Sequence, residues 1–258
     1  MPTGDLCWRT TDSGAELAFS DEVVIKRHSP RTRPDALERR LALAAAHPDF
    51  VPPVTAEVRT DPDGRAVTVW PRVRVLDPAD SHVPWAEAGR LLARLHRSPA
   101  PDELPTHGWP DRLARARAAA PPELAALAER LGAEASRRPE PAVLVHGDWH
   151  LGQLGAWRDG WRLIDVDDVG LGDPAWDLAR PAGFWAARLL GDADWLDFLD
   201  AYRAADGPAV PRGDPWPVLD LPARCAVLVA AVRALRSSEV HSDGTAHALV
   251  SACRRMAQ

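Results

Sequence analysis

Up to about residue 76 the apolar residues come in short alternating runs, which predict strands. Glu16–Phe19 and residues 23–26 flank a Ser20-Asp21 turn and predict a hairpin. Arg33-Pro34-Asp35 then opens a stretch, residues 36–46, in which Leu37, Leu41 and Ala44 share a helical face, and His47-Pro48 stops it. Two more strands are expected over residues 54–60 and 66–70, joined by the turn Asp61-Pro62-Asp63-Gly64. Residues 71–78 read as a hinge.

Beyond it the period changes to that of helices. Residues 84–96 put Trp85, Ala88, Leu92 and Leu95 on one face, with Pro84 suited to the first turn. A second helix is expected over residues 122–136, ended by Pro139-Glu140-Pro141. Residues 142–145 form a short buried strand that delivers His146-Gly147-Asp148, and residues 161–164 are expected to pair with it and deliver Asp165. Helices dominate from Pro174 onward, interrupted by a proline-rich loop over residues 207–217, and no repeat or low-complexity tail is present.

A chain of 258 residues can form one large domain or two small lobes around a core of its own. Cys7, Cys225 and Cys253 have no CxxC spacing, so a disulfide framework and a cysteine zinc site are both disfavoured, and a reducing, cytoplasmic setting fits. Nothing in residues 1–5 resembles a signal peptide, and the longest apolar run, residues 225–232, is too short to span a bilayer. The expectation is a protein with no membrane and no nucleic-acid partner, because the net charge is -6 and the arginines are scattered among acids. The same balance mildly favours a cationic or neutral ligand.

Lys26 is the only lysine among 31 basic residues. Lysine is a compact point charge that reaches between phosphate oxygens, whereas guanidinium is a wide planar fork, so a lone lysine marks either a phosphate contact or a chance survivor on a strand. Further along, Asp148, Gln153 and Asp165 present an acid on a loop, an amide five residues later and a second acid after the next strand. Phosphoryl transfer needs alignment and charge neutralisation, and this layout can supply both. Asp148 can orient an acceptor hydroxyl, while Asp165 and Gln153 offer hard oxygens to Mg²⁺. Lys26 can contact the α and β phosphates, with Glu38 holding its ammonium.

The segments His146-Gly147-Asp148-Trp149-His150-Leu151-Gly152-Gln153 and Ile164-Asp165-Val166-Asp167-Asp168, continued by Gly172-Asp173-Pro174-Ala175-Trp176-Asp177-Leu178-Ala179, resemble the HGDxHxxN and IDFGDAGxGDPxxDLA signatures of the aminoglycoside phosphotransferase and choline kinase group. The resemblance implies an α+β, bilobal protein-kinase-like fold, with a small β-rich N-lobe over residues 1–76 and a larger, mainly helical C-lobe over residues 77–258. It also implies transfer of the γ-phosphoryl of ATP or GTP to a hydroxyl of a small molecule (an antibiotic, a sugar or an amino alcohol), in resistance or biosynthetic tailoring. Asp148 would be the catalytic base, Asp165 and Gln153 the metal ligands, Lys26 the phosphate-contacting lysine and Asp177 a brace for the catalytic loop. The base of the nucleotide would be read by hinge backbone near Trp70, Arg72 and Val73, in a monomer or homodimer.

Three positions depart from the signatures. Gln153 stands for asparagine, Asp167 stands for glycine, and no GxGxxG precedes Lys26, which leaves Gly14 as the candidate phosphate-covering turn. Two other functions fit the same residues: a kinase of Ser or Thr in a peptide precursor, although no activation segment ending in APE is present, and a degenerate nucleotide- or ligand-binding relative. Some residues keep two readings. Asp167 and Asp168 are turn acids or site acids, while His146 and His150 brace a loop or, less readily, bind metal. Asp194, Asp197 and Asp200 form a solvated helix face or an acidic rim for a cationic acceptor. Trp185 and Trp195 are core residues or an acceptor-stacking surface.

Overall fold

The computed structural model describes residues 7–11, 13–76, 80, 82–101, 103–139, 141–236 and 244–258. The N-terminal stretch 1–6, hinge residues 77 and 78, and Glu140 lie outside the described residues. In chain order the elements are β1 (Trp8–Thr10), β2 (Glu16–Phe19), β3 (Val23–Arg27), α1 (Pro34–Ala46), β4 (Arg59–Thr60), β5 (Ala66–Pro71), β6 (Arg74–Val75) and α2 (Trp85–Arg97). They continue with α3 (Trp109–Ala119), α4 (Pro122–Ala135), β7 (Val143–Val145), β8 (Leu154–Trp157), β9 (Gly160–Leu163) and β10 (Gly170–Gly172). The last helices are α5 (Ala175–Ala186), α6 (Asp192–Ala204), α7 (Trp216–Arg236) and α8 (Thr245–Met256).

Two compact units result: residues 1–81, 101–105 and 151–167 in one, and residues 82–100, 106–150 and 168–258 in the other. The first carries an antiparallel sheet in the order β1-β2-β3-β5-β4 and a second sheet in the order β6-β8-β9. Chain order assigns the β8–β9 hairpin to the C-terminal lobe, yet it belongs to the first unit. Arg74 and Val75 pair with Ala156 and Gly155, and Phe50 bridges Leu163. Helix α1 begins with Pro at its first turn and ends at His47, so the expected boundaries hold. Its buried residues include Leu37, Leu41 and Ala44.

The second unit is helical. On α2 the expected face of Trp85, Ala88, Leu92 and Leu95 is buried, as are Trp195, Phe198 and Tyr202 of α6. Phe198 makes a ring contact with Trp85 and stacks on Trp149, the residue after Asp148. Each fully buried leucine here contributes about 1.5–3 kcal/mol. A further cluster gathers Trp109, Leu113, Leu127, Leu131, Trp176, Leu228 and Leu249 from α3, α4, α5, α7 and α8. Asp194, Asp197 and Asp200 are exposed on the opposite side of α6, which supports the solvated-face reading.

Three details correct the sequence expectations. Residues 142–145 and 161–164 are not partners: β7 pairs with β10, through Val145↔Gly170 and Val143↔Gly172, whereas β9 pairs with β8. Two residues, Arg158 and Asp159, make the short turn between β8 and β9, so β8 is the nearest partner for β9. Strand structure over residues 54–60 is confined to β4, where Arg59 and Thr60 meet Val67 and Ala66. Helix α3 is an addition that the hydrophobic pattern does not predict. Among the described residues no helix is long and apolar enough to cross a membrane.

Candidate active site

Strand β3 carries Lys26 to a position where only 9% of it is exposed. Its Nζ lies 2.7 Å from Asp165 Oδ1, to which it donates a hydrogen bond, and 3.0 Å from Asp167 Oδ2. Burial pulls the ammonium pKa down, but the charges of Asp165 and Asp167 outweigh it and the net shift is upward. Asp167 moves the other way: burial opposes ionisation, while chiefly the Lys26 charge, with the neighbouring His28, brings its pKa below the ordinary carboxylate value.

His28 lies two residues beyond Lys26 on the same face of the chain and is fully buried. Its Nδ1 is 2.9 Å from Asp167 Oδ1, and its Nε2 is 2.8 Å from Thr68 Oγ1. Thr68 stands opposite Lys26 in the β3–β5 register and accepts a 2.8 Å hydrogen bond from Trp70 Nε1. Trp70 N–H donates to Thr68, and Thr68 O–H can donate to His28 Nε2, while His28 Nδ1 only approaches Asp167 Oδ1 without a hydrogen bond of good geometry. Trp70, expected at the nucleotide hinge, is thus linked through three side chains to the lysine.

Glu38 does not take the place expected for it. It is exposed on α1, and the two acids on the Lys26 ammonium are Asp165 and Asp167. The pairing of Lys26 with Glu38 is therefore corrected. A helix acid is displaced by two acids on the segment after β9, one of them at the position where the signature has glycine. Of the remaining hinge residues, Arg72 is exposed, with its backbone N–H on Glu22 O and its guanidinium on Ser20 O. Val73 packs close to Gly155.

Asp165 adopts a left-handed backbone, φ 64°, which is uncommon outside glycine and tolerated best by Asp and Asn. The Asp167 N–H donates to its Oδ1 at 3.1 Å and helps hold that turn. Gln153 is buried, and its backbone carbonyl accepts the N–H of Ile164, the residue before Asp165. An acid carboxylate and a side-chain amide oxygen suit a hard cation whose coordination is completed by phosphates and water. Among the described residues no cluster of three or more His, Cys, Asp or Glu forms a cage that would hold a metal by protein ligands alone.

The second unit positions Asp148 through the loop after β7. Gly147 sits at φ 79°, and a Cβ there would come within 2.0 Å of Asp168 O, so only glycine fits. The loop is braced by fully buried Asp177 of α5, which accepts hydrogen bonds from His146 N–H at 2.6 Å and Gly147 N–H at 2.8 Å. His96 Nε2 lies 3.0 Å from the same carboxylate, and His96 Nδ1 lies 2.8 Å from Tyr202 OH. Burial resists ionisation of Asp177, but His96 and the loop contacts together lower its pKa. His146 is buried within this brace.

Asp148 Oδ1 receives two arginines: Arg112 Nη1 of α3 at 2.9 Å and Arg180 Nη2 of α5 at 3.1 Å. Arg112 also pairs with Asp168 Oδ2. Among the described residues both ion pairs of Asp148 fall on Oδ1. Sequence reasoning misses His28, Thr68, Arg112 and Arg180. A signal exists for two of them: the strand period from Lys26 reaches His28, and Arg180 lies one helical turn after Asp177. Arg112, on an unforeseen helix, leaves no local signal.

Comparison with solved structures returns small-molecule kinases. Choline kinase LicA from Streptococcus pneumoniae matches with TM-score 0.66 and 13% identity, covering 96% of this chain and 90% of that one. Macrolide 2'-phosphotransferase MphH from Brachybacterium faecium gives 0.53 and 23%, covering 96% and 92%. An AMP-bound spectinomycin phosphotransferase, APH(9)-Ia, gives 0.58 and 15%, covering 98% and 95%. These likenesses establish the kinase-like fold. No curated protein matches the sequence. The sequence profile of the phosphotransferase enzyme family, APH, matches residues 5–216. With most of its length matched, the chain belongs to that family of phosphotransferase enzymes.

Proposed function

We propose that the protein transfers the γ-phosphoryl group of ATP or GTP, with Mg²⁺, to a hydroxyl of a small molecule, acting in the cytoplasm as a monomer or homodimer in resistance or biosynthetic tailoring. The observation that carries this reading is the burial of the only lysine with its ammonium on Asp165, the acid of the second signature. In this account Lys26 binds the α and β phosphates, and Asp165 and Asp167 fix its direction. Backbone near Trp70, Arg72 and Val73 reads the base. Asp165 and Gln153 would hold Mg²⁺, which when bound supplies neutralisation of phosphate charge and alignment of the phosphates.

On the acceptor side, Arg112 and Arg180 occupy Asp148 Oδ1, so Oδ2 is the oxygen offered to the acceptor hydroxyl. Asp148 orients that hydroxyl and receives its proton as the oxygen–phosphorus bond forms and the bond to the leaving nucleoside diphosphate breaks. Asp177, through the His146 and Gly147 amides, keeps the loop from relaxing away from this geometry. Incubation with Mg²⁺ and either nucleotide, over a broad panel of hydroxylated acceptors, tests the proposal. Phosphorylated product is expected, and absence of both nucleotide binding and transfer would refute it.

A further inference from the structure

A cavity of about 310 Å³ in the first unit shares no residue with the Lys26 site. Its walls are the end of α1 with the loop that follows, at Ala46, His47 and Phe50, and the β8–β9 hairpin, at Trp157, Arg158 and Arg162. Small-molecule sites span about 300–1,000 Å³, so this one fits a ring or a fused pair of rings with one substituent.

Strand register explains why a ring and two guanidiniums meet here. Gly155 stands opposite Arg162 and Gly160 opposite Trp157, so Trp157 and Arg162 rise from the same face of the hairpin. The Arg162 guanidinium reaches toward Gly160, where an added Cβ would lie 3.5 Å from its Nη1. The Arg158 guanidinium lies over the Trp157 ring, 5.7 Å from its centroid. Phe50, only 2% exposed, meets the His47 ring edge to face and completes an aromatic wall.

Among the described residues no Asp or Glu lines this cavity, and neither arginine forms an ion pair. Arg162 donates from Nη1 to Trp161 O at 2.9 Å, which leaves Nε and Nη2 of its planar fork without a protein partner among those residues. Asp159, next in the turn, is exposed and outside the walls, and Asp49 is buried with its backbone carbonyl on the Leu163 N–H. The C-terminus of α1 has no basic residue in its last turn and brings about half a negative charge, which offsets only part of two guanidiniums.

We infer that this cavity is a ligand site of its own, for a small flat aromatic molecule that carries a carboxylate or phosphate group. The ring packs on Trp157 and Phe50, and the anionic oxygens take the Arg158 and Arg162 forks through charge-assisted hydrogen bonds. Backbone connects the cavity to the nucleotide half-site: Val51 N–H donates to Leu163 O at 2.9 Å and Leu163 N–H to Asp49 O at 2.8 Å, and Asp165 follows two residues later. A ligand held between Phe50 and Arg162 grips both sides of that ladder, and so acts as an effector of nucleotide affinity. The site stands independently of the proposed reaction; its effector role rests on that reading.

Calorimetric titration of the full chain with indole-3-acetate and with phenyl phosphate tests the site, against indole as the ring without charge and inorganic phosphate as the charge without ring. At least one aromatic anion is expected to bind about tenfold more tightly than both controls, and the Arg158→Gln/Arg162→Gln double variant to weaken it about tenfold. Whichever anion wins distinguishes carboxylate from phosphate. No binding of either anion, no advantage over the controls, or binding indifferent to the double variant would overturn the inference. Loss of binding in Lys26→Met with retention in the double variant would also overturn it, by assigning the anion to the nucleotide phosphate position. Should the double variant not fold, Arg158→Glu, at an exposed position, carries the same comparison.

Repeating the titration with ADP and Mg²⁺ reads the effector role. The bound anion is expected to change ADP affinity by about threefold or more, and ADP to change the affinity of the anion by the same factor. Unchanged ADP affinity in protein that binds the anion would overturn that role. Failure to bind ADP would refute the phosphotransferase reading, while the anion titration still decides the cavity.

Discussion

The Lys26 ammonium lies 3.0 Å from Asp167, a residue that stands where the family signature has glycine, while Glu38 is exposed to solvent. The two facts describe one exchange of partners for a buried cation. His28, whose Nε2 is on Thr68, also places its Nδ1 2.9 Å from Asp167 Oδ1, so the new partner sits between two basic side chains.

This exchange predicts opposite consequences for the two acids. Asp167→Asn is expected to raise the nucleotide KM about tenfold, because removing one partner of a buried pair is costly even when Asp165 remains. Glu38→Ala should change it by less than about twofold, the usual result for an exposed charge. Steady-state kinetics with saturating acceptor measures both, and a large Glu38 effect beside a small Asp167 effect would reverse the assignment.

Gln153 predicts a metal phenotype. If its side-chain oxygen holds Mg²⁺ with Asp165, Gln153→Leu should raise the Mg²⁺ concentration for half-maximal activity by about tenfold, and excess Mg²⁺ should restore much of the rate. Thermal unfolding of the same variant checks for damage, since Gln153 is buried. An unchanged Mg²⁺ requirement would remove Gln153 from the metal site.

Asp177 predicts a stability effect with a defined pH dependence. Replacing it with Asn removes part of a fully buried network on two amides and His96, and is expected to cost about 2–4 kcal/mol at neutral pH. Its carboxyl pKa is lowered in the folded state from a reference of 3.8, so its contribution is present in full above that value and is lost as pH falls below it. Denaturant unfolding of both proteins should show a gap that narrows only at the acid end. A gap that widens on acidification would contradict the sign of the shift.

Part of this molecule is legible in local signals of the sequence. The loop after β7, the acid after β9 and the lone lysine each lie in a short contiguous pattern, so residue spacing suffices. The pairing of β7 is hidden because β10 is Gly170-Leu171-Gly172, with one side chain and no alternation to read. Helix α3 escapes because Trp109, Leu113 and Ala116 are its few buried residues, set among arginines. Arg112 and Asp148 meet through tertiary structure, and no spacing rule connects them. Glu38 misleads because its distance along the chain from Lys26 is right while competing acids near residue 165 take the ammonium.

The central claim, that Asp148 carries transfer while the Lys26 half-site holds the nucleotide, is tested most directly by comparing wild type with Asp148→Asn. Mass spectrometry of a mixed-acceptor reaction with Mg²⁺ and nucleotide reports transfer, and calorimetry reports nucleotide affinity. The account predicts a phosphate-bearing product from wild type, none from Asp148→Asn, and nucleotide affinity within about twofold in the two proteins. Undiminished transfer by Asp148→Asn, or loss of nucleotide binding together with transfer in a folded variant, would contradict it.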